Sequence, residues 1–95
     1  MSEKKSERTP LKLRGELTIL RAADIKDMIA KALEDTDSLR IDTTEAQSCD
    51  VSFLQIVAAA RGRKNKRVWL HAGETVAAMA RESGLEFLLE EPAKD

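Results

Sequence analysis

The sequence predicts an α/β domain whose sheet is at least partly parallel. Segments with apolar residues at every second position alternate along the chain with segments of helical spacing, in the order β(β)-α-β-α-β-α. Strands that are separated by helices pair in parallel through crossovers, so this order predicts a mixed sheet of four to five strands with three or four helices packed on it. The chain has 95 residues, which is enough for one domain and too few for two.

The first predicted element is a strand region near the N-terminus. Leu11 and Leu13 alternate with charged residues, and Leu17 and Ile19 resume the alternation after Gly15. A glycine inside such a pattern is typical of a tight turn or a bulge. The segment therefore predicts a short hairpin or a kinked strand.

An amphipathic helix is predicted next, over residues 22–34. Its apolar residues recur with the spacing of one helix face, and charged residues fill the other side. The apolar positions are Ile25, Met28, Ile29, Ala32 and Leu33. A strand follows over residues 38–43, where Leu39 and Ile41 share one face and polar residues occupy the other, which indicates partial exposure.

The second half of the chain predicts a further helix, strand and helix. A helix from Ser52 to about Arg63 is indicated by Phe53, Ile56, Val57 and Ala60, with Leu54 and Ala58 widening the apolar face. Alternation over residues 67–72 predicts a strand, and residues 74–83 predict the last helix. Gly84 is expected to end it, because glycine tolerates positive φ. The basic cluster at the end of the middle helix, formed by Arg61, Arg63, Lys64 and Lys66, is interpreted as a solvated helix end.

The overall charge and the few aromatic residues exclude several classes of partner. Sixteen basic and seventeen acidic residues give a net charge of -1, so no field of one sign draws the chain to nucleic acid or to anionic lipid. Aromatic residues make up 3% of the chain, which leaves no platform for stacking bases. Apolar runs are far shorter than the roughly 20 residues of a membrane span. We expect no nucleic-acid partner and no direct membrane insertion.

The residues that usually carry chemistry are sparse. Cys49 and His71 are the only cysteine and histidine, so neither an internal disulfide nor a site of Cys and His ligands can form. His71 lies some twenty residues from the possible nucleophiles Cys49 and Ser52, which does not favour a triad. The four glycines are scattered and form no phosphate-binding loop. We expect no catalytic residues, no metal and no cofactor.

The two ends of the chain are charged and low in apolar residues. We expect residues 1–9 and 90–95 to be flexible and residues 10–89 to form the domain. The first ten residues lack the apolar core of a signal peptide, and the single cysteine suits a reducing compartment, so a cytoplasmic location is expected. The sequence leaves the oligomeric state open between a monomer and a weak dimer.

The polar turn before the middle helix is the most informative segment. Asp50 or Ser52 can cap the helix by accepting hydrogen bonds from the free amides of its first turn. The same amides and the helix dipole also favour a phosphate or an acidic group of a partner. Simple capping and anion recognition are therefore both open for this turn.

Three segments in this order resemble the STAS domain (sulfate transporter and anti-sigma-factor antagonist). They read Leu-Arg-Gly-Glu-Leu-Thr-Ile at 13–19, Leu-Arg-Ile-Asp-Thr-Thr at 39–44 and Asp-Val-Ser-Phe-Leu-Gln at 50–55. The resemblance covers nearly all of residues 11–88. The Leu54-Gln55 pair looks like the stand-alone STAS proteins that are associated with bacterial sensor-kinase and chemotaxis-like systems.

The resemblance also implies a regulatory site. In the phosphorylatable antagonists that the chain resembles, the residue after the motif aspartate is a serine or threonine that a partner kinase modifies. That position is Val51 here, so the switch is either absent or shifted to Ser52. Phe53 also replaces the small residue that is usual at the next position. The resemblance thus implies docking first and a phosphorylation switch, with Ser52 as the candidate, second.

The leading functional hypothesis is a non-enzymatic regulatory protein that works by partner switching. It binds a kinase-like anti-sigma factor (a serine kinase) or a sensor histidine kinase through the loop and helix that start at Asp50. The helix has more apolar surface than one buried stripe needs, which favours docking. The predicted contact residues are Asp50, Val51, Ser52, Leu54, Gln55 and Ala58.

Two other functions remain open. In the first, the chain is the accessory STAS subunit of a lipid-transporting ABC system, and the same surface packs on an ATPase without phosphoryl chemistry. In the second, the chain is a small enzyme or ligand-binding domain, because α/β folds host many activities.

Overall fold

A computed structural model describes residues 10–92, and it confirms an α/β fold of three helices and five strands. Two short 3-10 helices, Ile19–Arg21 and Glu86–Leu89, accompany them. The strands are β1 (Leu11–Lys12), β2 (Gly15–Leu17), β3 (Ser38–Asp42), β4 (Ala46–Cys49) and β5 (Arg67–His71), and the helices are α1 (Ala22–Asp35), α2 (Val51–Arg61) and α3 (Glu74–Glu82). Each predicted helix and each of the two central strands is present within two residues of its expected bounds.

The strands form two small parallel sheets in place of the single mixed sheet that we expected. One sheet has the order β1-β3-β5 and the other pairs β2 with β4. Every strand pairing within residues 10–92 is parallel. The reason is topological, because α1 or α2 lies between the paired strands and returns the chain in the same direction.

Gly15 marks the place where the first strand region passes from one sheet to the other. The hairpin alternative is wrong, because β1 and β2 pair with different strands, and the kinked strand is confirmed. Gly15 has a φ of 75°, and the pairing register shifts between Gly15 and Glu16. That backbone conformation favours glycine, since a Cβ atom would strain it.

β4 was not predicted, because its sequence is a polar stretch that resembles a turn. It pairs with β2 over Leu17 and Cys49. The amide of Asp50 continues this pairing and donates to the carbonyl of Leu17 at 3.1 Å. β4 thus leads the chain directly into the first turn of α2.

The hydrophobic core lies between the helices and one face of the strands. In β3 and β5, the apolar residues are buried and the residues between them are partly or fully exposed, as the alternation predicts. The largest fully buried side chains include Phe53, Leu13, Leu17, Ile25, Leu33, Ile41, Leu54, Leu88, Val57, Val68 and Val76. The opposite face of β3 and β5 carries Arg40 and His71, which are exposed, and Trp69, which is partly exposed.

Two members of the basic cluster, Arg61 and Lys66, bind backbone carbonyls and are only partly solvated, which corrects the sequence interpretation. The Lys66 ammonium donates to the carbonyls of Leu33 at 2.7 Å and Thr36 at 3.3 Å, and it pairs with Asp37 at 3.0 Å. Lysine thereby satisfies free carbonyls at the end of α1. Arg63 and Lys64 remain exposed, as expected.

Arg61 is the second inward-facing cation, and it fastens the C-terminal segment to the domain. Its guanidinium donates to the carbonyl of Val68 in β5 at 3.1 Å and to those of Phe87 and Leu88 at 3.1 and 3.3 Å. It also contacts the carbonyl of Glu90. Of the ends that we expect to be flexible, residues 1–9 and 93–95 lie outside the described residues.

The end of α3 follows the sequence prediction for Gly84. The amide of Leu85 donates to the carbonyl of Ala80 at 2.8 Å, and that of Gly84 donates to Arg81 at 3.3 Å. Gly84 has a φ of 75°. These two bonds and the left-handed glycine form a Schellman motif.

Candidate functional site

Asp50 organises the start of α2 with both of its carboxylate oxygens. Oδ1 accepts from the amide of Ser52 at 3.0 Å, which makes Asp50 the N-cap of the helix. Oδ2 accepts from the amide of Ile19 at 3.0 Å, across 31 residues of sequence. The aspartate is thus a structural cap, and it also ties the turn after β2 to the helix.

The turn that Asp50 holds presents apolar side chains to solvent. Ile19 is 63% exposed and Leu20 is 86% exposed, and Val51 in the first turn of α2 is 40% exposed. The sequence analysis did not identify Ile19 and Leu20 as functional residues, since the alternation assigned Ile19 to a strand. We call Ile19, Leu20, Val51 and the exposed Gln55 the junction surface.

Arg21 stabilises the turn that contains Ile19 and Leu20 through hydrogen bonds to backbone carbonyls. Its guanidinium donates to the carbonyls of Arg14 and Glu16, both at 2.8 Å. The amide of Arg21 also closes the turn by donating to the carbonyl of Thr18 at 2.9 Å. With Asp50 on one side and Arg21 on the other, the backbone under Ile19 and Leu20 is held at both ends.

The structure separates the six predicted contact residues. Val51 and Gln55 are exposed, whereas Asp50, Ser52 and Ala58 are partly buried. Leu54 is fully buried, so its prediction as a contact residue is wrong. The error arose because α2 is apolar on several sides and buries Phe53, Leu54 and Val57 against the core, leaving no stripe pattern to orient the helix.

Ser52 lies beside the carboxylate of Asp50, which accepts a hydrogen bond from one of the free amides of the first turn of α2. Its own amide donates to Asp50, and its side chain is partly exposed. A phosphate on Ser52 would add a charge of about -1.5 to -2 next to that carboxylate. Like-charge repulsion would then weaken the cap and the turn that Asp50 ties down.

Cys49, which precedes the cap, is not a reactive thiol. Burial, and to a smaller extent the charge of Asp50, raises the pKa of the Cys49 thiol to about 11. At neutral pH the group is therefore protonated, and the thiolate that acts as a nucleophile is scarce. Within residues 10–92, no group of three or more His, Cys, Asp or Glu residues is placed to hold a metal ion.

Comparison with known proteins assigns the family. No helix among the described residues combines the length and the apolar character of a membrane span. The family model described as "Mlab, STAS domain" matches residues 1–90. No curated protein and no solved structure was found to match the chain. Because the family match covers almost the whole sequence, the chain belongs to the STAS domain family, whose members are generally non-catalytic and typically mediate protein–protein interaction.

Proposed function

We propose that the chain is a regulatory docking protein that binds a kinase-like anti-sigma factor or a sensor histidine kinase through the junction surface. The observation that carries the proposal is the exposure of Ile19, Leu20 and Val51 on a backbone that Asp50 and Arg21 hold in place. Membership of the STAS family suggests a regulatory role of this kind. We take the class of partner, a kinase-like protein, from the resemblance of residues 50–55 to stand-alone STAS proteins that are associated with sensor-kinase systems.

The energetics favour the junction surface as a contact. Burying a leucine or isoleucine side chain stabilises a complex by about 1.5–3 kcal/mol, and Leu20 is almost fully available for burial. A turn that is already held in one conformation loses little entropy when a partner covers it. Gln55, one helical turn after Val51, supplies a polar contact at the edge of the apolar patch.

Phosphorylation of Ser52 would act on this surface as a release switch. The added charge would lie next to the exposed side chain of Val51 and beside the Asp50 cap. Both effects disfavour an apolar contact at the same place. We therefore expect a phosphorylated chain to bind its partner more weakly than the unmodified one.

A second candidate function is the accessory STAS subunit of a lipid-transporting ABC system. Val51 does not exclude it, although that subgroup usually carries threonine at the position, because Val51 is an exposed apolar residue where phosphorylatable relatives carry the acceptor. A contact centred on Val51 needs no phosphoryl chemistry. In this case the partner that co-purifies is an ATPase with its permease, whereas the leading proposal expects a kinase-like protein.

The test is co-purification from the source cell with the parent chain and with two matched variants. Leu20→Glu places a charge in the junction surface, and Phe87→Glu makes the same change at another exposed apolar residue, outside that surface. We expect Leu20→Glu to lose at least about 90% of the captured partner, because a buried unpaired carboxylate opposes docking. Phe87→Glu should retain it. Equal recovery by both variants would remove the junction surface from the proposal.

The Ser52 switch has a separate test. The chain is incubated with the captured kinase and ATP, and the site of any phosphate is read by mass spectrometry. Uptake by the parent and none by Ser52→Ala supports the switch. Equal uptake by both chains excludes Ser52 while leaving the docking proposal intact.

A further inference from the structure

A second surface lies on the face of β3 and β5 that is opposite the buried Val68 and Leu70, away from the junction surface. Trp69 is partly exposed there, with the Arg40 guanidinium carbon 5.3 Å from its ring centroid and that of Arg67 at 5.7 Å. Arg40 is directly opposite Trp69 in the strand pairing, and Arg67 is two residues earlier in β5 on the same face. We call these three residues the open sheet face.

Both guanidiniums lie over the indole ring, and neither is neutralised by a carboxylate of the part of the chain that the structure describes. Within residues 10–92, neither the Arg40 nor the Arg67 side chain donates a hydrogen bond or forms an ion pair with another described residue. Stacking on an indole uses the flat side of a guanidinium and leaves the N–H groups at its edge available. One oxygen of the nearby Asp42 carboxylate is already engaged, because Oδ1 accepts from the amide and hydroxyl of Thr44 at 2.9 and 2.7 Å.

We infer that the open sheet face binds a carboxylate-rich segment of a protein partner. Tryptophan and arginine are the residue types that most often dominate binding energy at protein interfaces. Here two arginine guanidiniums lie 5.3 and 5.7 Å from the centroid of one tryptophan ring, so carboxylates can pair with the guanidiniums beside an apolar contact. Ordering the arginines on the indole beforehand lowers the entropy that binding would otherwise cost.

Charge decides against two other occupants of this face. A second copy in a twofold pairing would bring the same arginines toward one another, since both copies present the same patch. A nucleic acid or an anionic membrane needs a broad basic field, whereas the chain has a net charge of -1. A short acidic protein segment requires only the local pair of cations.

The open sheet face is independent of the proposed function. α2 packs against β5 on the side of the buried Val68 and Leu70, whereas Trp69 points away from that side. A partner on the junction surface and an acidic segment on the open sheet face therefore do not compete for space. The chain can connect two proteins, and either surface can fail its test without affecting the other.

The test uses Trp69 as its own reporter, because it is the only tryptophan in the chain. The probe is a synthetic peptide of alternating glutamate and serine, which in extended form places carboxylates on one side about 7 Å apart. The control peptide has the same sequence with glutamine in place of each glutamate. We expect a saturable change of tryptophan emission with the glutamate peptide at low salt, and none with the glutamine peptide.

Matched variants locate the binding. Arg40→Gln and Arg67→Gln should each weaken binding of the glutamate peptide roughly three- to tenfold, the range for losing a partly exposed charged contact. Arg81→Gln makes the same exchange at an exposed position in α3 and should change the affinity less than about twofold. Thermal unfolding of each variant verifies that it is folded before affinities are compared.

Several results would overturn the inference. These are no response to the glutamate peptide, an equal response to the glutamine peptide, or affinities that Arg40→Gln and Arg67→Gln leave unchanged. A response to phosphatidylglycerol vesicles in place of the peptide would assign the face to a membrane. Self-association that Arg40→Gln abolishes, measured by sedimentation, would assign it to a second copy.

Discussion

At the first turn of α2 the polar atoms are paired within the chain and apolar side chains face solvent, whereas at the last turn a cation is drawn inward. Both carboxylate oxygens of Asp50 accept hydrogen bonds from backbone amides. The side chains of Ile19, Leu20 and Val51 around it are exposed. Arg61 binds backbone carbonyls of β5 and of the C-terminal segment, next to the buried Leu88. One end of the helix therefore leaves apolar side chains accessible to solvent, whereas the other holds the C-terminal segment against the core.

Of the two ends of α2, the last turn is expected to have the larger effect on stability. Arg61→Met removes the donors that several carbonyls share, and we expect the free energy of unfolding to fall by about 2 kcal/mol. Urea denaturation measures this change. Arg63→Met is the matched control, because Arg63 is exposed, and it should stay within about 0.5 kcal/mol of the parent. Similar losses for both variants would refute the role of Arg61 as a fastener.

A smaller effect is expected at the first turn. Asp50→Ala removes the N-cap and the bond to the Ile19 amide, and we expect a loss of about 1–2 kcal/mol. Hydrogen exchange should also show faster exchange of the Ile19 amide. Asp50→Asn keeps one oxygen acceptor and should lose less than Asp50→Ala. An unchanged Ile19 amide in the alanine variant would contradict the tie between turn and helix.

The raised pKa of Cys49, the residue before the Asp50 cap, predicts that the free energy of unfolding depends on pH in the alkaline range. The folded pKa of Cys49 is about 11, which lies above the value of about 8.5 for an unfolded thiol. As the pH rises above about 8.5, the unfolded state loses its proton first, so the folded state loses relative stability up to the folded pKa. Urea denaturation from about pH 8 to 10 should show this decline in the parent and a weaker one in Cys49→Ala. Parallel curves for the two chains would argue against the raised pKa.

The smallest effect on stability is expected at the most exposed apolar residue. Leu20→Ser should change the free energy of unfolding by less than about 0.5 kcal/mol, because the side chain is 86% exposed. Leu54→Ala, at the fully buried neighbour of the junction surface, should cost about 2–5 kcal/mol. Thermal unfolding of the two variants separates a contact residue from a core residue. A large loss for Leu20→Ser would place Leu20 in the core.

Elements with a strong local pattern were predictable from the sequence. The apolar spacing of α1, the alternation in β3 and β5 and the glycine after α3 each follow from local geometry, and the structure contains them. The same local reasoning identified Asp50 as a possible cap, which the hydrogen bond to Ser52 confirms. Local pattern sufficed in these places because the distant contacts, such as the pairing of β3 with β5, agree with it.

The remaining features depend on distant parts of the chain. β4 is a polar strand that exists through its pairing with β2, about thirty residues away. Ile19 fits a strand by alternation, yet its amide is bound by Asp50, and the chain turns there instead. Leu54 was misassigned because the orientation of a helix that is apolar on several sides is set by its neighbours.

The parallel pairing of all described strands has a consequence for the order of folding. Each pair joins residues roughly thirty positions apart in sequence, such as Leu11 with Ile41 and Ser38 with Arg67, so no strand finds its partner locally. α1 and α2 span those separations and shorten them when they form. We expect a helix-weakening change on the exposed side of α1 to slow folding more than it accelerates unfolding. During synthesis, residues 11–17 must wait for residues 38–49 to emerge before β1 and β2 can pair with β3 and β4.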